Sequence, residues 1–153
     1  MRRPPRAPVT DPVRSHIMSR IRGRGNFSTE LRLIALMRMH GILGWRRGVA
    51  LPGKPDFVFR KHRAVVFVDG CFWHGCKCKR LPTANRAFWR SKIESNRVRD
   101  RRATAGLRKA GWKVVRIWEH QLKNTPTRVL HRLQTVLDTT TEARPASEGS
   151  RAD

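Results

Sequence analysis

Residues 56–78 read DFVFRKHRAVVFVDGCFWHGCKC, and this stretch sets the terms for the rest of the chain. Ala64 to Val68 is an unbroken apolar run, AVVFV, the pattern of a central strand covered on both faces. Phe57-Val58-Phe59 precedes it as a second strand, and Lys61-His62 begins the turn between them. Gly70 ends the run. A strand buried on both sides needs further elements above and below it, so the surrounding sequence has to supply layers.

The flanking sequence supplies them. Ser28 suits an N-cap, with Thr29 and Glu30 in a favourable first turn. Leu33, Leu36, Met37 and His40 then recur at helical spacing, and Gly41 is a stop. Trp45 to Leu51 reads as a short strand ending at the turn LPGKP. After the loop KRLPTAN, Asn85 can cap a long helix reaching about Ala110. Its apolar positions include Phe88, Trp89, Ile93, Val98 and Leu107, and its other face carries Arg86, Arg90, Arg97, Arg99, Arg101 and Arg102. Gly111 ends that helix, Trp112 to Trp118 reads as a strand, and Thr125-Pro126 opens a last helix with Val129, Leu130, Leu133, Val136 and Leu137 on one face. The order helix, strand, strand, strand, helix, strand, helix predicts an α/β layered domain with a small mixed sheet. Hairpin-like strands in the middle, without a Gly-rich phosphate loop, exclude a doubly wound nucleotide fold.

The length of 153 residues suits one domain. Residues 1–14 are expected to be a disordered Pro/Arg arm, residues 15–138 the folded domain, and residues 139–153 a disordered polar tail. Between arm and first helix, SHIMSRIRGRGN holds Ile17, Met18 and Ile21 and is read as one short helix before a Gly-rich break. Lys and Arg number 34 against 11 Asp and Glu, a formal net charge of +23. Such an excess concerns partners rather than fold, and nucleic acid is the natural one, because cations that neutralise phosphates release counterions. A basic binding protein would share this charge, so charge alone does not imply catalysis. No apolar run is long enough to span a bilayer, and no secretory signal is expected at the basic N-terminus. An intracellular setting follows as the expectation, where cysteines serve as metal ligands or free thiols rather than disulfides.

Two constellations carry chemistry. Asp56 and Asp69 each sit at the edge of an apolar strand, and a hairpin would bring them to one end if its register allows. Carboxylates gathered at a strand end suit Mg²⁺, which orients water and neutralises charge on a phosphate. The plainer reading is that Asp56 begins a turn and Asp69 caps the next loop. The pair resembles that of restriction-endonuclease-like nucleases, in which Lys follows the second acid by two positions. Here that position is Cys71, which leaves His74 as the nearest base or charge stabiliser. The second constellation is Cys71-x4-Cys76-x-Cys78, three soft ligands for tetrahedral zinc, with His62, His74 or His120 as the fourth. Phe72-Trp73 stands between the two sites. Core packing is the default for such rings, and a wedge between DNA base pairs is the sharper alternative.

Longer blocks carry a family resemblance. DPVRSHIMSRIRGRGN, LPGKPDFVF, AVVFVDGCFWHGC, FWRSKIESNRVRDRR and GWKVVRIWEH, in that order, resemble the very-short-patch-repair endonucleases over about residues 11–122. The resemblance implies a restriction-endonuclease-like fold with a structural zinc, and Mg²⁺-dependent nicking 5′ to the thymine of a T·G mismatch left by deamination of 5-methylcytosine. It makes Asp56 the metal-binding aspartate, His74 a histidine acting through water, Asp100 a supporting acid and Glu30 a functional glutamate of the first helix. It makes Phe72, Trp73 and Met18 the residues that intercalate, and Cys71, Cys76, Cys78 and His120 the zinc ligands. It further implies a monomer acting on mismatched duplex DNA at the bacterial nucleoid, in the cytoplasm, alongside mismatch-repair and repair-synthesis proteins.

Two departures from the family pattern stand out. Thr-His is usual where this chain has Val68-Asp69. A metal contact through the backbone carbonyl survives at Val68, and the Asp69 carboxylate is expected to bind the cation directly. Cys76 and His120 stand where a histidine and a cysteine are usual, an exchange that keeps three sulfurs and one nitrogen. The competing readings are a related nuclease without mismatch preference and a zinc-stapled module that only binds DNA.

Overall fold

The structure is a computed structural model that describes residues 29–138. The arm at 1–14, the short helix expected around Met18, the cap at Ser28 and the tail at 139–153 lie outside these residues. Helix α1 spans Glu30–Met39, strand β1 Phe57–Phe59, a 3-10 turn Arg60–His62, β2 Ala64–Asp69, α2 Arg86–Lys109, β3 Lys113–Trp118, α3 Glu119–Asn124 and α4 Pro126–Asp138.

The sheet has the order β1-β2-β3, so the AVVFV strand is central as its composition requires. Strand β1 pairs with it antiparallel in the register Phe57↔Val66, Val58↔Val65 and Phe59↔Ala64. Strand β3 pairs parallel, from Ala64↔Lys113 to Asp69↔Trp118, after a crossover through α2. The sheet is therefore mixed, and its two faces alternate residue by residue. One face (Phe57, Phe59, Ala64, Val66, Val115 and Ile117) packs against Leu33, Ile34 and Met37 of α1 and Val129, Leu130 and Leu133 of α4. The other (Val58, Val65 and Phe67) packs against Leu107 of α2. Each such buried Val, Leu, Ile, Phe or Met side chain contributes about 1.5–3 kcal/mol relative to an exposed one.

Four expectations are corrected. Trp45 to Leu51 does not form a strand: one bridge, Arg46↔Val58, is all that pairs. Gly48 has φ +69°, which turns the chain out of extended geometry just past the bridge. A further helix, α3, follows β3 directly, and Gln121 Oε1 accepts the Trp118 N–H at 3.0 Å, so a local side chain starts it where the strand stops. Asn85 precedes α2 in the left-handed conformation, and its side chain makes no capping bond; its carbonyl accepts the Trp89 N–H at 3.1 Å. Thr29 takes the N-cap place of α1, also without a side-chain cap. Among the described residues no helix is long and apolar enough to cross a membrane.

The basic face of α2 is as the sequence suggests: Arg86, Arg90, Arg97, Arg99, Arg101 and Arg102 are all exposed. Ile93 and Leu107 are buried beneath them.

Candidate active site and metal centre

Strand register places the acidic residues. The Asp56 N–H donates to the Val66 carbonyl at 3.0 Å, which sets Asp56 across from Phe67, and Asp69 lies two residues further on the same face of β2. Arg116 is the β3 partner of Phe67, so it projects on this face too. Helix α2 runs over this face and contributes Asp100. With His74 and Lys54 these groups line one cleft of roughly 1420 Å³.

Within the cleft Asp56 Oδ2 accepts the Val68 N–H at 2.7 Å. Burial pushes the Asp56 carboxyl up from its ordinary 3.8 to about 6; the Val68 N–H opposes this, Glu30 and Asp69 add to it, and Arg47 opposes it. Glu30 itself is ion-paired with Arg47. A half-buried carboxyl whose charged form is disfavoured gains from a nearby cation, so Asp56 fits a place for a hard divalent ion.

Asp69 is 3 % exposed and fully engaged. Arg116 Nε donates to its Oδ2 at 2.7 Å and Nη2 to its Oδ1 at 2.6 Å. The same Nη2 lies 3.4 Å from Asp100 Oδ2, Nη1 donates to Thr104 Oγ1 at 3.3 Å, and the guanidinium stands 4.6 Å above the Phe67 ring. Burial works against the guanidinium's charge, but Asp69, Asp100 and Asp56 outweigh it and hold the pKa above its ordinary value. His74 Nδ1 meets Asp100 Oδ2 at 2.5 Å and lies 3.6 Å from Asp69 Oδ1. Asp69, His74 and Asp100 form one group of potential ligands, to which Asp56 does not belong.

Cys71, Cys76, Cys78 and His120 form the other, with ligand atoms all within 4.8 Å of one another. The three sulfurs lie 3.3, 3.5 and 3.6 Å from His120 Nδ1. Tetrahedral zinc, at its usual bond lengths, sets sulfur and nitrogen ligands roughly 3.5 Å apart. The donor set and spacing fit a soft tetrahedral ion. Of the other candidates for fourth ligand, His62 pairs with the Leu137 carbonyl at 2.9 Å and His74 with Asp100. The loop folds back on itself through Cys76 N–H to the Cys71 carbonyl, 2.9 Å, and α3 delivers His120 from the end of β3. Gly75, at φ +69°, lets the loop lie on α2: a Cβ there would meet Ile93 Cγ2 at 2.7 Å.

Phe72 and Trp73 are half-buried and meet edge to face at 5.2 Å. They do not stand alone. Trp89 packs on both, at 5.3 and 5.9 Å, and Phe88 continues the row at 5.3 Å while 57 % exposed. Phe88 and Trp89, two of the apolar positions of α2, sit in its first turn and join this row, while Ile93 and Leu107 are the buried residues of the helix. Arg116 was missed outright, although a lone Arg inside WKVVRIW requires a buried partner and so signals one. Met18 lies outside the described residues.

Comparison with known proteins adds an independent line. The sequence model of a family described as DNA mismatch endonuclease Vsr matches residues 8–80. A type II nicking enzyme of Xanthomonas oryzae pv. oryzae is 37% identical over 127 residues, 82% of this chain and 92% of that protein. Another, of Neisseria meningitidis serogroup C, is 37% identical over 121 residues, 76% of this chain and 81% of that protein. The DNA mismatch endonuclease Vsr of Escherichia coli is 40% identical over 96 residues, 61% of this chain and 62% of that protein.

Proposed function

The chain belongs to the Vsr family of DNA endonucleases, and from that premise we propose that it nicks one strand of duplex DNA 5′ to the thymine of a T·G mismatch, with Mg²⁺ as cofactor. The observation that carries the reading is a half-buried carboxyl, Asp56, in one cleft with a histidine held by a carboxylate, His74–Asp100, beside a row of aromatic rings.

Asp56 and the backbone carbonyl of Val68 would hold Mg²⁺. When bound, the ion neutralises charge developing on the scissile phosphate. His74 is the general base. Its Nδ1–H donates to Asp100, which leaves Nε2 as the acceptor for an attacking water; that nitrogen takes the proton as the water oxygen bonds to phosphorus and the P–O3′ bond breaks, the departing 3′ oxygen taking a proton from solvent. Glu30 acts on the cleft through Asp56 and Arg47. Phe72 and Trp73 enter the duplex beside the mismatch, Met18 does so from the segment before α1, and the arginines of α2 contact phosphates. Zinc at Cys71, Cys76, Cys78 and His120 is structural and keeps the aromatic pair and His74 on a rigid loop.

We further read the three-stranded sheet with its helices as the core of a restriction-endonuclease-like fold, with residues 15–138 as one domain between a basic arm at 1–14 and a tail at 139–153. The protein works as a monomer at the bacterial nucleoid, and mismatch-repair and repair-synthesis proteins follow it.

A second reading draws on the relatives named as nicking enzymes and on the Asp69–Arg116 pair: the same strand scission at a site without mismatch preference. Labelled duplexes that differ only in T·G against T·A separate the two. Equal rates on both would favour the second, and no magnesium-dependent nick in either would leave a DNA-binding module.

A further inference from the structure

An arginine in the middle of a strand is expensive to bury unless its charge is matched, and Arg116 is matched more than once. It donates to both oxygens of Asp69 at 2.6 and 2.7 Å, approaches Asp100 at 3.4 Å, and is braced by Thr104 and the Phe67 ring. These contacts come from α2 and β2, so two elements besides its own strand set its position. Asp69 and Asp100 are also the two carboxylates facing His74 Nδ1, at 3.6 and 2.5 Å. A bidentate Arg–carboxylate pair is geometrically rigid, and it occupies lone pairs that a metal ion would otherwise use.

We propose that Arg116 is a positioning residue of the cleavage site: it holds Asp69 away from the catalytic cation and makes Asp69 and Asp100 a fixed cradle for the Nδ1–H of His74. Asp69 thus belongs with the base rather than with the metal, and Asp56 is the carboxylate that carries the ion. The proposal rests on the reading of His74 as general base. Groups that share this cleft are Asp56 and Lys54 from the β1 side and Glu94, Arg99 and Arg102 from α2. None of these is placed to hold both oxygens of Asp69 as Arg116 does.

The test uses the full chain with its zinc and the variants Arg116→Met, Arg116→Lys and Asp69→Asn. Single-turnover nicking of a T·G duplex at saturating magnesium should fall about tenfold or more in both Arg116 variants, because Lys keeps the charge and loses the fork. Duplex binding without magnesium should stay within about twofold. Ring nitrogen NMR, with His74 assigned by His74→Gln, should show one tautomer protonated at Nδ1 in the unaltered protein and loss of that single pattern in Arg116→Met. In Asp69→Asn the magnesium concentration giving half the maximal rate should move by less than about threefold.

Unaltered nicking in Arg116→Met would overturn the proposal, as would an unchanged His74 spectrum. An increase beyond about tenfold in the half-saturating magnesium of Asp69→Asn would return Asp69 to the metal. If Arg116→Met fails to fold, Arg116→Met/Asp69→Asn removes both charges together and takes its place, with the same slow nicking expected. Failure of the cleavage reading is separate: it appears as absence of nicking by the unaltered protein, whereas the His74 spectrum needs no cleavage.

Discussion

Replacing Asp56 by Asn should make the magnesium-free protein more stable while it destroys the activity. The Asp56 carboxyl is raised from 3.8 to about 6, chiefly by burial. Below pH 3.8 it is protonated in both folded and unfolded chains and costs nothing. Between there and about pH 6 the unfolded chain gives up the proton and the folded chain keeps it, so stability falls as pH rises; above that it levels off. At 1.36 kcal/mol per pKa unit the full loss is about 3 kcal/mol, an upper figure because the cleft admits some water. Asn has nearly the same shape, and its Oδ1 still accepts the Val68 N–H. It carries no charge, so Asp56→Asn should match the unaltered protein near pH 4 and exceed it at pH 8 by up to about 3 kcal/mol, roughly 10 °C in melting temperature for a unit of this size. Calorimetry from pH 4 to 8 in magnesium-free buffer, without chelator so that zinc is retained, measures this. Added Mg²⁺ should stabilise the unaltered protein and leave the variant unmoved, and nicking by the variant should fall about a hundredfold or more. A variant less stable than the unaltered protein at pH 8, or a difference that does not change with pH, would refute the reasoning.

The same carboxyl gives nicking a pH dependence: the rate should rise with pH through about 6, and more magnesium should move the midpoint down, because the cation competes with the proton; a midpoint indifferent to magnesium separates Asp56 from the ion. Cys78→Ala should lose the bound metal, about one ion per chain by elemental analysis, and unfold at lower temperature; retention of both would make the cysteines ordinary thiols. Phe72→Ala and Trp73→Ala should weaken T·G duplex binding by about 1–3 kcal/mol, more than they lower stability; equal losses would return the rings to packing against Trp89.

The central strand, its hairpin partner and the long basic helix were legible because each rests on local composition: AVVFV, FVF, and an arginine-rich face over Ile93 and Leu107. The cluster of Cys71, Cys76 and Cys78 was legible from cysteine spacing, and contact with His120 selects among the histidines. The single bridge at Arg46 and the short helix after Trp118 were not legible. One depends on where Gly48 turns, the other on a Gln121 side chain that reaches back to a backbone N–H. Arg116 was hidden for a different reason. Its partner Asp69 lies 47 residues away, and only the parallel β2–β3 register brings them together. The aromatic row likewise joins a loop to the first turn of α2, a meeting that helical periodicity does not encode.

The central claim is tested most directly by two labelled duplexes, one with a central T·G mismatch and one with T·A at that position, each incubated with the zinc-loaded protein with and without Mg²⁺. The account predicts a single nick on the 5′ side of the mismatched thymine, seen only with magnesium and absent from the T·A duplex. Cleavage of both duplexes at one rate, or no magnesium-dependent nick in either, would contradict it.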